Sequence, residues 1–181
     1  TSFSISPTIA EGTATLFWSG ATGGAGNAIT GYEIEYRDST DNSTWGTWEA
    51  LGVIGSSSAS GSLTALPPTT RGDYRQFRIR TQGSAAAIYY SDWALTSNTL
   101  RKNVLTTPPS TFTAVPAIYE IANITLTWSG TVQGTSTIKQ YIIQKATSTD
   151  GTNWSSYETV TTIVSSETSG TYTTSASQVA G

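Results

Sequence analysis

The sequence of 181 residues contains no cysteine, no histidine and no methionine, and only 12% of its residues are charged. Without cysteine the chain has neither a disulfide framework nor thiol chemistry, although this leaves its redox compartment open. Without histidine it lacks the commonest general base and the commonest metal ligand, so an enzyme built on this sequence would depend on carboxylates. These absences favour a non-enzymatic protein, and we predict no catalytic, cofactor-binding or metal-binding residues.

Charge is scarce and nearly balanced, with 9 basic and 12 acidic residues and a formal net charge of −3. No run of Lys or Arg provides an electrostatic footprint for nucleic acid or for an anionic membrane surface. No hydrophobic run is long enough to span a bilayer, and the residues after Thr1 do not resemble a signal peptide. We therefore expect no nucleic-acid partner and no membrane insertion.

Serine and threonine are abundant and together make up about a third of the chain, far above their usual share. Threonine is β-branched and favours strands over helices. Aromatic residues account for 10% of the sequence and hydrophobic residues for 36%, which is enough to build packed cores. The composition therefore predicts an all-β protein.

An internal repeat divides the chain into two copies. Its landmarks recur at an offset of 109 residues (112 − 3, 141 − 32, 154 − 45 and 170 − 61) or 110 (128 − 18): Phe3, Trp18, Tyr32, Trp45 and Gly61 match Phe112, Trp128, Tyr141, Trp154 and Gly170. A period this long is a whole domain, because solenoid repeats are much shorter. We predict a first domain at 1–103, a linker at 104–110 stiffened by Pro108-Pro109, and a second domain at 111–181.

Alternating residues and turn signals predict seven short strands in the first copy, at 2–7, 13–18, 32–37, 45–53, 60–66, 74–81 and 89–100. Seven strands in about 100 residues favour a two-sheet β-sandwich. In this chain the second copy lacks counterparts of the last two strands. We expect the missing strands either in further sequence, which we favour, or from another chain by β-augmentation.

Several residues make the pattern more specific. Trp18 in the second strand, the segment 29–32 at the start of the third, the pair Leu66-Pro67 and Tyr74 before an arginine-rich strand resemble the fibronectin type III domain. The second copy repeats part of this pattern at Trp128, Ile138, Tyr141 and Trp154. The resemblance implies tandem immunoglobulin-like (fibronectin type III) β-sandwiches, the second without its last two strands.

The local sequences of the segments 18–20, 90–93 and 148–151 resemble those of modules in bacteriophage structural proteins and bacterial surface proteins. That similarity implies a location in a virion or at an extracellular or cell surface, although fold likeness alone does not establish function. We expect a structural or adhesive spacer array in a tail, baseplate, or capsid fibre or decoration, or on a bacterial surface. Expected partners are other structural chains in a homo- or hetero-oligomeric assembly, with host-surface glycan as a further candidate.

Two other functions stay open. One is a carbohydrate-binding module, because Trp45, Trp48, Trp154 and Tyr157 place two aromatics on the same hairpin of each copy and one of them could face sugar rings. We favour a packing role, in which one aromatic covers the core edge and the other packs on a neighbouring strand. The other function is an accessory domain of a secreted hydrolase.

Charged residues cluster on two predicted strands. Glu33 and Glu35 could be an acid and base pair, but the third and sixth strands of such a sandwich are neighbours, which places them across from Arg78 and Arg80. We therefore expect a structural salt-bridge ladder, with both arginines stacked on Trp93 through cation–π contacts. The second copy has no glutamate at the two matching positions, which favours the structural role over catalysis.

The tripeptide Arg71-Gly72-Asp73 is one that some fibronectin type III domains present to integrins. In those domains the tripeptide lies between the last two strands, whereas here it lies in the turn immediately before Tyr74. A glycine that permits a tight turn explains this position more simply. We therefore expect a turn there, with no role in integrin binding.

Overall fold

The computed structural model describes residues 2–24, 26–84, 89–115 and 123–174. These residues form strands, turns and loops, with no helix among them, so the prediction of an all-β chain is confirmed. The chain divides into two compact units, Thr1–Val104 and Leu105–Gly181. Within the described ranges, no helix is long and apolar enough to cross a membrane.

The first unit contains nine strands within its described residues. They are β1 (Ser2–Ser6), β2 (Ile9–Ala10), β3 (Ala14–Ser19), β4 (Ile29–Ser39), β5 (Glu49–Gly55), β6 (Gly61–Ala65), β7 (Tyr74–Gly83), β8 (Ala94–Leu95) and β9 (Leu100–Lys102). One sheet has the order β1-β3-β6, and the other has the order β2-β9-β7-β4-β5 with β8 paired to β7. All of these pairs are antiparallel except β2 with β9.

Side chains from both sheets meet in one buried core. Leu16 of the first sheet and Ile34 and Phe77 of the second have 0% relative exposure, and all three belong to the same cluster. They occupy alternate positions of their strands, where the period of two turns every second side chain inward. Because each fully buried side chain of this size contributes about 1.5–3 kcal/mol, this shared core holds the two sheets together.

One predicted strand begins later than expected and another is divided, whereas the remaining predicted strands overlap observed ones along most of their length. The predicted strand 45–53 begins only at Glu49, because the two tryptophans before it stack on arginines and do not join the sheet. The predicted strand 89–100 is wrong as a continuous element and is broken into β8 and β9. Between them the chain turns to β1, where Ser97 donates to the Phe3 carbonyl at 2.9 Å and Asn98 exchanges two hydrogen bonds with the Ile5 backbone.

The second unit repeats part of this arrangement. Its strands are β10 (Thr111–Val115), β11 (Ile124–Ser129), β12 (Gln140–Lys145), β13 (Glu158–Val164) and β14 (Gly170–Thr174). They form one sheet of order β10-β11-β14 and a two-stranded sheet, β12-β13. In the described part of the chain no strand lies on the second edge of β12, which is the edge that β7 occupies on β4 in the first unit.

The strand registers of the two units match residue for residue. Phe3 pairs with Trp18, which pairs with Gly61, and Phe112, Trp128 and Gly170 are paired in the same way. A tyrosine lies against each tryptophan, with ring centroids 5.2 Å apart in the first unit and 5.1 Å apart in the second. The sequence repeat is therefore a repeat of three-dimensional contacts.

Part of the predicted linker 104–110 is tied to the second unit. The backbone N–H of Thr107 donates to the Val132 carbonyl at 3.0 Å, and the Val132 N–H donates to the Thr107 hydroxyl at 2.9 Å. Ser110 also donates its backbone N–H to the Ser129 carbonyl at 3.0 Å. These hydrogen bonds attach residues 107 and 110 of the predicted linker to the second unit, which begins at Leu105.

Candidate ligand-contact faces

The outward face of the second sheet carries two neighbouring ion pairs. In the register of β4 and β7, Glu33 lies opposite Arg80 and Glu35 lies opposite Arg78. Arg80 Nη2 is 2.6 Å from Glu33 Oε2, and Arg78 Nε donates to Glu35 Oε2 at 2.7 Å. The four side chains are 17–25% exposed, so both pairs are partly desolvated. Salt bridges therefore engage both carboxylates of the suggested acid and base pair.

Aromatic rings and guanidinium groups alternate along the same face. Trp48 lies 4.4 Å from the guanidinium carbon of Arg37 and 4.3 Å from that of Arg78, and Trp93 lies 4.2 Å from Arg78 and 4.4 Å from Arg80. Two further rings end the series, Trp45 at 5.2 Å from Arg37 and Tyr90 at 3.8 Å from Arg80. We call this series the arginine–aromatic ladder: Trp45, Arg37, Trp48, Arg78, Trp93, Arg80 and Tyr90.

Arg37 occupies the space between the two hairpin tryptophans. Its Nε and Nη2 donate to Gln76 Oε1 at 3.1 and 2.8 Å. Burial lowers the pKa of Arg37, and the positive charge of nearby Arg78 lowers it further. Neither Trp45 nor Trp48 belongs to the buried core, so the structure places them over arginines and not at the core edge. Their ring faces are partly occupied by the protein's own cations.

The segment Arg71-Gly72-Asp73 is held by the rest of the first unit. The guanidinium of Arg71 donates to both carboxylate oxygens of Glu11 at 2.8 Å and to the Asn103 carbonyl at 3.0 Å. The hydrogen bond from Arg71 lowers the pKa of Glu11. Gly72 has φ of +92°, and Asp73 closes a turn by donating to Thr70 O at 3.3 Å. The tripeptide thus has a local structural role, with its cation already paired.

The hairpin that carries the aromatic pairs has the same construction in both units. Asp41 Oδ1 accepts backbone N–H groups from Ser43 and Thr44 at 2.8 and 2.7 Å. Asp150 occupies the matching position (150 − 41 = 109) and accepts backbone N–H groups at 2.9 and 2.8 Å. These hydrogen bonds hold the pKa of both carboxyl groups well below their usual range. Trp154 and Tyr157 therefore occupy the positions that Trp45 and Trp48 have in the first unit.

The arginine that lies between the two hairpin aromatics of the first unit is replaced in the second. Ala146 stands where the first unit has Arg37 (146 − 37 = 109), and Ile142 and Gln144 stand where it has Glu33 and Glu35 (142 − 33 and 144 − 35). Trp154 is 63% exposed, Tyr157 is 73% exposed and Ile142 is 57% exposed. We call this set the open face: Ile142, Gln144, Trp154 and Tyr157.

The core of the second unit is also more accessible than that of the first. Phe3 is 4% exposed, whereas its counterpart Phe112 is 58% exposed. A cavity of about 230 Å³ lies beside Phe112, Trp128, Tyr141 and Ile143, whose counterparts in the first unit are all buried. An apolar space of this kind can accept one or two hydrophobic side chains.

Both faces offer non-covalent contact through aromatic, aliphatic and guanidinium groups. Within the ranges that the structure describes, no three acidic side chains lie together as metal ligands. No protein-family model matches this chain, and no curated protein matches it.

Two members of the ladder were absent from the sequence-based prediction. Arg37 lies two residues after Glu35, on the face that the strand period assigns to both glutamates, so alternation alone indicates its position. Tyr90 gives no such signal, because it joins the sheet through an isolated bridge to Gln82 and lies in a segment without regular alternation. The open face could not be predicted from the first copy alone, because it arises where the second copy replaces Glu33, Glu35 and Arg37.

Proposed function

We propose that this chain is a pair of fibronectin type III-like modules that acts as a non-enzymatic structural or adhesive spacer array. The proposed site is a virion, as part of a tail, baseplate, or capsid fibre or decoration, or a bacterial surface. Its partners would be other structural protein chains. The observation that carries the proposal is the register repeated between the sheets β1-β3-β6 and β10-β11-β14.

Strand order supports the fibronectin type III-like assignment. In the first unit a sheet of three main strands faces a sheet in which β7 lies between β4 and β9, and a single core joins them. The third and sixth long strands, β4 and β7, pair through ten residues. This arrangement of antiparallel hairpins across two sheets is typical of immunoglobulin-like sandwiches.

Repeated modules act through spacing and through multivalent contact. Modules in series set the distance between neighbouring parts of an assembly, and weak contacts on each module add through effective concentration. The two units share the strand register of Phe3, Trp18 and Gly61 but differ in the outward residues at the positions of Glu33 and Glu35. An array of this type can therefore keep its spacing constant while its contact surfaces differ from module to module.

Localisation in the source organism tests this proposal. Antibodies raised against the chain should label purified virus particles or the surface of intact cells in immunogold electron microscopy. The soluble intracellular fraction, at matched total protein, provides the comparison. Labelling confined to that fraction would contradict the structural or adhesive assignment.

Carbohydrate recognition is a second candidate, and the exposure of Trp154 and Tyr157 favours it. Exposed aromatic rings stack on the apolar faces of sugars, and the exposed Gln144 of β12 offers an amide for hydroxyl groups. The proposal is confined to the second unit, because Arg37 and Arg78 occupy the matching rings of the first.

A glycan array followed by titration calorimetry tests this candidate. We expect Tyr157→Ala to abolish glycan binding while Trp48→Ala leaves it unchanged, since Trp48 is stacked between two arginines. Circular dichroism of both variants establishes that the fold is intact. Binding that is lost in Trp48→Ala and kept in Tyr157→Ala would exclude the open face as a sugar site.

A further inference from the structure

Arg37 has no carboxylate partner among the described residues, unlike the other two arginines of the arginine–aromatic ladder. Arg78 pairs with Glu35. Arg80 pairs with Glu33 in the same way. No described carboxylate forms a salt bridge with Arg37. Along the ladder, three guanidinium groups therefore meet two carboxylates, and one positive charge is left uncompensated.

The hydrogen bonds of Arg37 leave one edge of its guanidinium group open to a ligand. Gln76 Oε1 accepts from Nε and from Nη2, at 3.1 and 2.8 Å, so it occupies the side edge of the group. The outer edge presents one N–H of Nη1 and the second N–H of Nη2. Among the described residues, none accepts a hydrogen bond from Nη1. This outer edge has the fork geometry that binds both oxygens of a carboxylate.

The groups beside this edge are polar or aromatic. Gln76 accepts from Arg37 through Oε1, so the N–H groups of its amide stay available for other acceptors. Trp45 and Trp48 are half-buried and lie 5.2 and 4.4 Å from the Arg37 guanidinium carbon. Trp48 also stacks on Arg78 at 4.3 Å. A ligand at this point therefore contacts a cation and an amide, with indole rings on its flanks.

Two exposed aliphatic side chains of the same sheet lie away from Arg37 in the register. Val53 is 63% exposed and pairs with Glu33. Leu95 is 51% exposed and pairs with Arg78. A protein interface is built around a fully buried and largely apolar centre, which the groups around Arg37 do not provide. A small ligand that carries a negative charge and hydroxyl groups fits them better.

We propose that the outer edge of the Arg37 guanidinium binds the carboxylate of an acidic sugar of the uronate type. The two carboxylate oxygens accept from Nη1 and Nη2, and the Gln76 amide donates to a neighbouring sugar hydroxyl. This inference goes beyond the spacer function and does not rest on it. It also differs from the sugar candidate of the second unit, because recognition here depends on charge and not on stacking against a free ring.

Methyl glucuronide and methyl glucoside are the matched probes, because they differ only in the carboxylate that replaces a hydroxymethyl group. Each is titrated into the full chain labelled with ¹⁵N. With the glucuronide we expect saturable chemical-shift changes at Arg37 Nε–H and at the indole N–H groups of Trp45 and Trp48. The glucoside should cause none of them. The indole of Trp154 is the internal control, because Ala146 stands where the first unit has Arg37.

Two variants alter the site in different ways. Gln76→Glu places a carboxylate on the side edge of Arg37 and compensates its charge, so glucuronide binding should fall at least about tenfold while the melting temperature is kept or raised. Arg37→Lys keeps the charge but removes the fork and should also weaken binding about tenfold. Arg101→Lys is the matched control, because Arg101 donates to the Gly72 carbonyl and lies beside Tyr74, outside the ladder. Circular dichroism establishes that each variant is folded.

The outcomes separate the proposed site from its alternatives. Glucuronide binding that is lost in Gln76→Glu and kept in Arg101→Lys supports the proposal. Equal shift changes with the glucoside, or equal weakening by Arg101→Lys, would overturn it. Tighter binding of triglutamate than of the glucuronide at Arg37 would also overturn it by making an acidic polypeptide the ligand. Shift changes confined to Trp154 and Tyr157 would assign the sugar to the open face instead. Immunogold labelling, which tests the spacer array, is independent of these results.

Discussion

At the scale of single residues, two glycines lie under tryptophan rings. A Cβ placed on Gly61 would overlap the indole of Trp18, and one placed on Gly170 would overlap the indole of Trp128 in the same way. Both indoles are buried, at 4% and 3% exposure, so they have little room to move. The recurrence of Gly61 at Gly170 therefore has a steric cause.

We expect Gly61→Ala to destabilise the first unit by about 1–3 kcal/mol, the usual cost of forcing extra volume into a packed site. Gly55→Ala is the matched control, since a Cβ at Gly55 has no atom within 4 Å and needs no unusual backbone conformation. Urea unfolding monitored by tryptophan fluorescence measures both. Equal midpoints for the two variants would show that the indole of Trp18 can shift.

The aspartates of the two hairpin turns predict a response to acid. The folded-state pKa of Asp41 is depressed by backbone N–H groups of Thr44 and Ser43, so its contribution to stability is present above the unfolded pKa of about 4. That contribution is lost as the pH falls below 4 toward the folded-state pKa. We expect Asp41→Asn to lower the melting temperature at pH 7 and to lower it by a smaller amount at pH 2.

Thermal unfolding by circular dichroism at several pH values measures this effect. Asp150→Asn is the equivalent change in the second unit, where Asn153 and Thr152 depress the pKa of Asp150. A difference between Asp41→Asn and the parent that stays constant from pH 7 to pH 2 would contradict the role of the ionised carboxylate.

At the scale of elements, the arginine–aromatic ladder joins β4, β7 and the segments that flank them. Trp93 contacts two arginines at 4.2 and 4.4 Å, and both arginines also pair with glutamates of β4. Each cation thus has a ring and a carboxylate as neighbours. Interactions of this kind are more valuable as a network than as isolated surface pairs.

We expect Trp93→Ala to destabilise the first unit by about 1–2 kcal/mol, the sum of two partly exposed cation–π contacts. Trp154→Ala in the second unit is the control, because Trp154 is 63% exposed and should change stability by less than about 0.5 kcal/mol. Calorimetry of both variants tests the comparison. Similar losses in the two would mean that the arginines contribute nothing beyond burial of the ring.

The same elements show what a sequence can and cannot predict. Alternation of Tyr32 and Ile34 with two glutamates predicts a half-buried strand, and β4 has its buried side chains at those positions. The strand order predicted for a sandwich places those glutamates across from Arg78 and Arg80, where the structure has them. The periodicity of residues is a local property and the strand order follows from the fold class. Both can therefore be inferred from a sequence.

Other features depend on long-range contacts that leave no periodic signal. The predicted strand 89–100 contains enough β-formers to look continuous, yet Ser97 and Asn98 bind β1 and interrupt it. Trp45 and Trp48 resemble strand residues, but Arg37 holds them outside the sheet. Where these strands begin and end depends on contacts with side chains that are distant in the sequence.

At the scale of the whole molecule, two units share a repeated register but differ in how completely their sheets are paired. β4 is paired on both edges, whereas β12 has one partner among the described strands. Local opening costs less free energy where fewer hydrogen bonds and buried contacts must be broken. The two units should therefore differ in local stability even though their registers match.

We expect hydrogen–deuterium exchange of the full chain to be slower in β4 than in β12. Mass spectrometry of peptic fragments that cover Ile29–Ser39 and Gln140–Lys145 measures the two strands in one experiment. Exchange in β5, the partner of β4, and in β13, the corresponding partner of β12, provides the internal reference. Equal protection of β4 and β12 would indicate that β12 is paired on both edges in solution.

The position of Gly61 and Gly170 beneath indole rings also has a spectroscopic consequence. Protons held against the face of an aromatic ring are shielded by its ring current, so the α-protons of both glycines should resonate well upfield of ordinary glycine signals. Because each signal belongs to one unit, the pair forms a built-in reporter. A single NMR spectrum could then follow the folding of each unit separately, without any label or substitution.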